Sequence, residues 1–218
     1  MTTALPVNFR KDSPLVPTVD FIDFATGTGL EPFYPGDANS TSADVPGSYF
    51  LTNATINSDV GSTQSGENAA LDLDFDTVLN RPITLEGDCV ISVPLLHVNN
   101  GGGTADVTST ITGELQHYDG TTETNLGTDT CAADRSVNSQ QRVHNRVTVK
   151  FTVAKTKFKK GDTLRITVKS SAPGSGEEII IGHDPAGRTD LFTGSILGDT
   201  SWNGSAQILA NIPIRANV

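Results

Sequence analysis

The chain is predicted to be all-β, an antiparallel β-sandwich of jelly-roll-like type with about eight to ten strands. Three observations predict it. Threonine, whose branched Cβ suits a pleated surface, occurs 28 times in 218 residues. No window places apolar residues at i, i+3, i+4 and i+7 over three turns, and several segments alternate with period two instead. Turn-rich stretches, among them 34–48, 57–68, 99–103 and 172–176, punctuate those segments.

Taken in order, residues 1–18 are broken by Pro6, Pro14 and Pro17 and alternate nowhere, so they read as an extended N-terminal arm. Residues 19–218 read as one sandwich domain. In the run 71–76, Leu71, Leu73 and Phe75 share one face and Asp72, Asp74 and Asp76 the other. The apolar run Cys89–Leu96 suits a strand covered on both faces, and Glu178–Ile181 reads the same way. Val107, Ile111 and Leu115 mark a strand that ends at Tyr118-Asp119-Gly120-Thr121, where Asp-Gly signals a hairpin. Val147, Val149, Phe151 and Val153 form an inward row, as do Leu164, Ile166 and Val168. The final segment, 207–215, is strand-like, and Pro213, lacking an N–H, points to a sheet edge.

The formal net charge is −10, but it is segregated. Residues 1–134 hold 3 basic and 19 acidic side chains, whereas 135–169 hold 10 basic and 1 acidic. The basic block spans two strands and the turn between them. If those strands pair as a hairpin, Arg146, Lys150, Arg165 and Lys169 share one outward face, with Lys157, Lys159 and Lys160 in or beside the turn. That face is either a solvated guard against edge aggregation or an electrostatic docking face for an acidic partner, such as a sister subunit. Nucleic acid is not an expected partner, because the block lacks interleaved aromatics for base stacking apart from Phe151 and Phe158. No apolar stretch approaches a membrane span, and no membrane partner is expected. The start carries no basic-then-apolar leader, so synthesis in the cytosol is expected.

Catalytic signatures are missing from the sequence. Gly194-Ser195-Ile196-Leu197-Gly198 puts its serine in the wrong place for a nucleophile elbow. His97, His117, His144 and His183 are dispersed without ligand spacing. The nearest thing to a metal site is Asp72, Asp74 and Asp76, three carboxylates on one strand face about 6–7 Å apart in succession. Alternating aspartates are also what a solvated face looks like, so neither metal nor cofactor is expected. Cys89 and Cys131 are expected as free thiols. The chain is expected not to be an enzyme.

Three stretches carry a family resemblance. Val19-Asp-Phe-Ile-Asp-Phe-Ala-Thr-Gly-Thr-Gly-Leu30 resembles the opening of β-sandwich virion proteins of tailed bacteriophages and related archaeal viruses. Tyr49-Phe-Leu-Thr-Asn53 followed by Leu71–Asp76 has the same character, and Ile212-Pro-Ile-Arg215 resembles their short final strand. The resemblance implies a virion structural protein, most like head decoration or cement proteins. It implies major capsid protein and copies of itself as partners, with small oligomers such as trimers on the capsid surface. It offers no active-site residues. The alternative is a carbohydrate- or receptor-binding sandwich of a virion fibre or tail. With Trp202 the lone tryptophan and Tyr34, Tyr49 and Tyr118 scattered, an aromatic sugar platform is not evident.

Overall fold

The computed structural model describes residues 28–37, 49–53, 62–64, 69–183 and 207–215, so the arm expected over 1–18 lies outside the described residues. The described residues contain thirteen strands. The first four are β1 (Thr28–Asp37), β2 (Tyr49–Thr52), β3 (Ser62–Gln64) and β4 (Leu71–Val78). Next come β5 (Ile83–Asn99), β6 (Ala105–Val107), β7 (Thr110–Tyr118) and β8 (Glu123–Ala132). After these lie β9 (Arg135–Val137), β10 (Gln141–Phe158), β11 (Thr163–Ser170), β12 (Glu177–Gly182) and β13 (Leu209–Arg215). Because β3, β6 and β9 are three residues each, the long strands alone match the predicted number.

Neighbouring strands run in the order β3-β12-β5-β13-β1-β2-β4-β11-β7-β8, with β10 on the far side of β5. The seam is β1. Its first part, Thr28–Phe33, pairs with β13, and its last four residues, Tyr34–Asp37, pair with β2. One half of the order therefore folds onto the other as two facing sheets. All the ladders in this order are antiparallel except a single parallel pairing of Phe50 with Asp76.

The alternating rows face each other across the core. Leu73, Phe75, Leu164, Ile166, Val168, Ile111 and Leu115 are buried on one sheet. Leu85, Cys89, Ile91, Val93, Leu95, Val149 and Val153 are buried on the other. The other sheet packs directly on β7 where that strand offers no side chain: a Cβ on Gly113 would lie 2.4 Å from Val149 Cγ2 and 3.2 Å from Ile91 Cδ1. The run Cys89–Leu96 is central, as its two-sided burial predicts. β5 is flanked by β10 along one edge and by β12 and β13 along the other, and Leu96 and Val98 pack with Ile180 on the face away from the main core.

Two sequence expectations are corrected. β13 is not an edge strand, because it lies between β1 and β5. Its missing proline donor is absorbed by a register shift between Asn211 and Ile214, opposite Gly87, whose φ is +128° and whose added Cβ would sit 3.3 Å from Pro213. Nor do β10 and β11 pair. β10 pairs with β5 and β11 with β4 and β7, so their outward faces look away from each other across the sandwich. The connector 159–162 crosses from one sheet to the other instead of closing a hairpin.

The Asp-Gly signal does close the β7–β8 hairpin. Asp119 Oδ1 accepts the N–H groups of Thr121 and Thr122 at 2.9 and 2.7 Å, and Gly120 takes φ +93°. At the opposite end of the sandwich, β6 and β9 form a small ladder tied to β5 by Asn99. Its amide Nδ2 donates to the carbonyls of Gly103 and Val137 at 3.0 and 2.9 Å.

Candidate functional site

With β10 and β11 on opposite sheets, the predicted basic face divides. Arg146 is half-buried on β10 and donates to Ser92 Oγ at 3.0 Å and to the Gln207 carbonyl at 3.4 Å. Burial holds its guanidinium below the usual arginine value. Lys150 pairs with Asp88 at 2.6 Å. The hydrogen bond from Lys150, helped by one from Thr152, lowers the Asp88 carboxyl below its ordinary range.

Arg165 and Lys169 lie on the outer face of the other sheet, and their register there explains their partners. Arg165 is opposite Asp76 of β4, and Lys169 opposite Asp72. The Arg165 guanidinium grips Asp76 through Nε and Nη2 at 2.7 and 2.8 Å. Through Nη1 it reaches Asp74 at 3.2 Å and Glu123 at 2.9 Å. The fork hydrogen-bonded to Asp76 raises the Arg165 value above the ordinary one. Lys169 reaches Glu114 at 3.2 Å.

This ladder decides the fate of the aspartate triple. Asp74 also accepts from Thr167 Oγ1 at 2.5 Å, and Asp76 holds the Arg165 fork. Partial burial raises the Asp72 carboxyl although Lys169 opposes it. The three carboxylates are thus spaced along β4 and engaged by cations of β11. Among the described residues no three or more His, Cys, Asp or Glu side chains gather as a metal site.

The histidines are more informative than their spacing in sequence. His117 Nε2 lies 2.7 Å from Asp162 Oδ2, and its ring packs at a 45° tilt against Phe158 with centroids 4.1 Å apart. Asp162 also accepts the Lys159 N–H at 2.7 Å, and this bond lowers its carboxyl. The pairing was traceable in principle, since His117 is in register with Leu164, two residues after Asp162. The missing clue was that β7 and β11 are neighbours. His183 is fully buried between Tyr49 and Phe75, with ring centroids 5.7 and 5.8 Å away. Burial lowers it to about 4. His97 is also lowered by burial to about 4, beneath β6, and a backbone contact to Val107 offsets this only in part. Cys89 and Cys131 are free, and burial pushes the Cys89 thiol up to about 12.

Three of the predicted docking residues, Lys157, Lys159 and Lys160, are exposed at the end of the sandwich where β10 meets its connector. This end is locked by two backbone hydrogen bonds. The Leu79 N–H donates to the Asp162 carbonyl, and the Gly161 N–H donates to the Leu79 carbonyl, each at 2.9 Å. They bring Arg81 of the β4–β5 connector to the lysines. Counting charge along the chain concealed Arg81, because it is one of only three basic residues in the acidic 1–134 segment. A groove of about 410 Å³ opens beside it, floored by Phe33, Ile83 and Ile214 and rimmed by Val78 and Arg81.

These features define a two-sheet antiparallel β-sandwich. No protein-family model matches the chain, and no curated protein sequence matches it. Among solved structures it is similar to an aminopeptidase from a marine sediment Thaumarchaeota archaeon, at 9% identity and a TM-score of 0.53, covering 87% of this chain and 37% of that one. It is also similar to a CocE/NonD family hydrolase from Staphylococcus aureus, at 12% identity and a TM-score of 0.48, covering 85% of this chain and 37% of the other. The infectious bursal disease virus Gx strain structure aligns at 10% identity and a TM-score of 0.28, covering 86% of this chain and 40% of that one. The chain thus spans little more than a third of the length of the two hydrolytic proteins. At these identities the likeness is one of fold. It corrects the expectation that the chain is no enzyme: this sandwich is similar in fold to part of a chain named as an aminopeptidase, so the fold gives no ground for excluding catalysis.

Proposed function

We propose that the chain is a virion structural protein, a decoration or cement module that binds the outer capsid lattice and stabilises the particle through protein–protein contacts. One observation carries this reading. The stretches resembling phage and archaeal-virus sandwich proteins are distant in sequence, yet their described parts are adjacent strands, in the order β13-β1-β2-β4. The resemblance therefore follows one continuous region of the fold. Partners in this reading are the major capsid protein and further copies of the chain, in a small oligomer such as a trimer.

Stabilisation follows from linkage: a ligand that binds only the assembled particle raises its stability with occupancy, by about 2.7 kcal/mol at a hundredfold excess over Kd. The experiment mixes purified protein with undecorated heads and follows co-sedimentation and heat release of the packaged genome. Saturable binding with a higher release temperature is expected. No binding, or binding that leaves the release temperature unchanged, overturns the reading.

A second reading is favoured by the 87% of this chain that aligns on 37% of the aminopeptidase. In it the sandwich works as one module of a larger hydrolytic assembly. Turnover of aminoacyl-p-nitroanilide or short-chain p-nitrophenyl ester, lost in Asp162→Asn, would put this reading first. Calcium-dependent binding to a glycan array would instead favour the carbohydrate-binding alternative.

A further inference from the structure

The charge segregation of the sequence reappears in the structure at one end of the sandwich. Arg81, Lys155, Lys157, Lys159 and Lys160 are all exposed there, and among the described residues none of the five is in an ion pair. The carboxylates nearby are already engaged. Asp162 holds His117 and the Lys159 N–H, Asp119 caps its own turn, Glu123 holds Arg165, and Glu86 holds Arg215. Five cations thus stand at one end without an ion-pair partner in the described part of their own chain, on a protein whose total is −10. The carboxylate that lines the adjoining groove, Glu31, is engaged by the Asn53 amide.

An independent observation falls at the same place. Val78 is 68% exposed, the one large hydrophobic side chain so exposed among the described residues. It is opposite Thr163, the residue after the basic connector, and it rims the groove beside Arg81. An exposed apolar side chain beside a cluster of cations is the pattern of a protein-docking surface. A nucleic acid fits it less well, because the nearest rings, Phe33 on the groove floor and Phe158, are buried and offer no face for base stacking.

We propose that this end is the docking surface, and that it takes an extended, carboxylate-rich segment of a partner protein. An apolar side chain of that segment packs on Val78 and the groove floor, and its carboxylates meet Arg81 and the lysines. The inference deepens the decoration reading and rests on it for the partner's origin, but it is tested without capsids, so the two can fail separately.

The probe is a fluorescein-labelled octapeptide of alternating Glu and Val, followed by fluorescence anisotropy against an alternating Lys–Val peptide and single-stranded oligothymidylate. Saturable binding of the Glu–Val peptide is expected, weakening about tenfold when salt rises from low to physiological strength. Lys157→Glu with Lys160→Glu, and separately Val78→Asp, should each weaken it about tenfold. Lys150→Glu, on the flank of β10, should leave it unchanged. All these positions are exposed, and an unaltered thermal midpoint confirms that each variant folds. Absence of binding, equal or tighter binding of oligothymidylate, or indifference to the charge-reversed pair overturns the proposal. Peptide binding without binding to heads would retain the surface and remove the capsid as its partner. Binding to heads without peptide binding would do the reverse.

Discussion

His183 shows how a single side chain ties the fold to pH. Its ring is enclosed by Tyr49 and Phe75, and Gln207 Nε2 donates to its backbone carbonyl at 2.6 Å. Protonation would bury a charge among rings, so its folded value falls from 6.5 to about 4, and His97 falls likewise. The unfolded chain then binds more protons than the folded one between these values. Stability from the two histidines is complete above about pH 6.5 and is lost as pH falls towards 4, by about 2 kcal/mol each at pH 5. The carboxyls of Asp88, Asp119 and Asp162, lowered from 3.8, withdraw their contribution only at still lower pH. Thermal midpoints measured from pH 7 to pH 4 should therefore drop steeply, and the drop should flatten in His97→Gln with His183→Gln. An unchanged acid limb in that double variant would refute the assignment. Gly113 is a second site of residue-scale control. Its missing Cβ lets Val149 approach, and a branched side chain fixed in a core has little room to yield. Gly113→Ala should cost about 1–3 kcal/mol in urea denaturation, whereas Gly102→Ala, with nothing within 4 Å, should cost far less.

At the scale of the strand, β11 is held from both sides by a charge ladder as well as by its buried row. Arg165 alone contacts Asp74, Asp76 and Glu123. Removing it leaves three carboxylates facing one another, so Arg165→Met should destabilise by about 1–2 kcal/mol at low ionic strength. The loss should shrink in salt as their repulsion is screened. Arg165→Lys should fall between, since an ammonium keeps the charge but not the fork. Urea midpoints at two ionic strengths decide it, and a salt-independent loss would mean that packing, not charge, is what Arg165 supplies. The same strand shows what was legible in the sequence. Its inward row, Leu164, Ile166 and Val168, follows from period-two alternation, because successive side chains must take opposite faces. Its neighbours do not follow, because alternation says nothing about which strand lies alongside. β10 and β11 are consecutive and both alternate, yet the connector 159–162 carries the chain between sheets, and the basic face inferred from their pairing came apart with it. Pro213 misled for a related reason. A missing donor points to an edge only where the ladder is regular, and here a register shift opposite Gly87 takes the proline inside the sheet. The proposed docking end is half legible: the lysines stand out as a block, but Val78 joins them through its pairing with Thr163, and Arg81 through the contact of Leu79 with Gly161 and Asp162.

At the scale of the whole molecule, the two sheets depend on one strand. β1 gives its first residues to β13 and its last to β2, so the path from one sheet to the other runs along its backbone. Phe33 sits at the crossing, 6% exposed, within the main core shared by both sheets. Because that core is contiguous from β4 and β11 to β5 and β10, neither sheet can open without exposing the inner row of the other. Unfolding is therefore expected to be a single cooperative transition, and damage at the seam should lower the stability of the whole rather than release one sheet. Phe33→Ala removes a buried ring and should cost about 3–5 kcal/mol. Far-ultraviolet dichroism, which follows the strands, and the fluorescence of a Phe151→Trp reporter in the opposite flank should still shift together. If the two probes separate in Phe33→Ala while coinciding in its Phe33-containing parent, the sheets are independent units joined by β1. If they remain coincident at a lower midpoint, the seam transmits stability across the molecule, and a partner that clamps either sheet stabilises both.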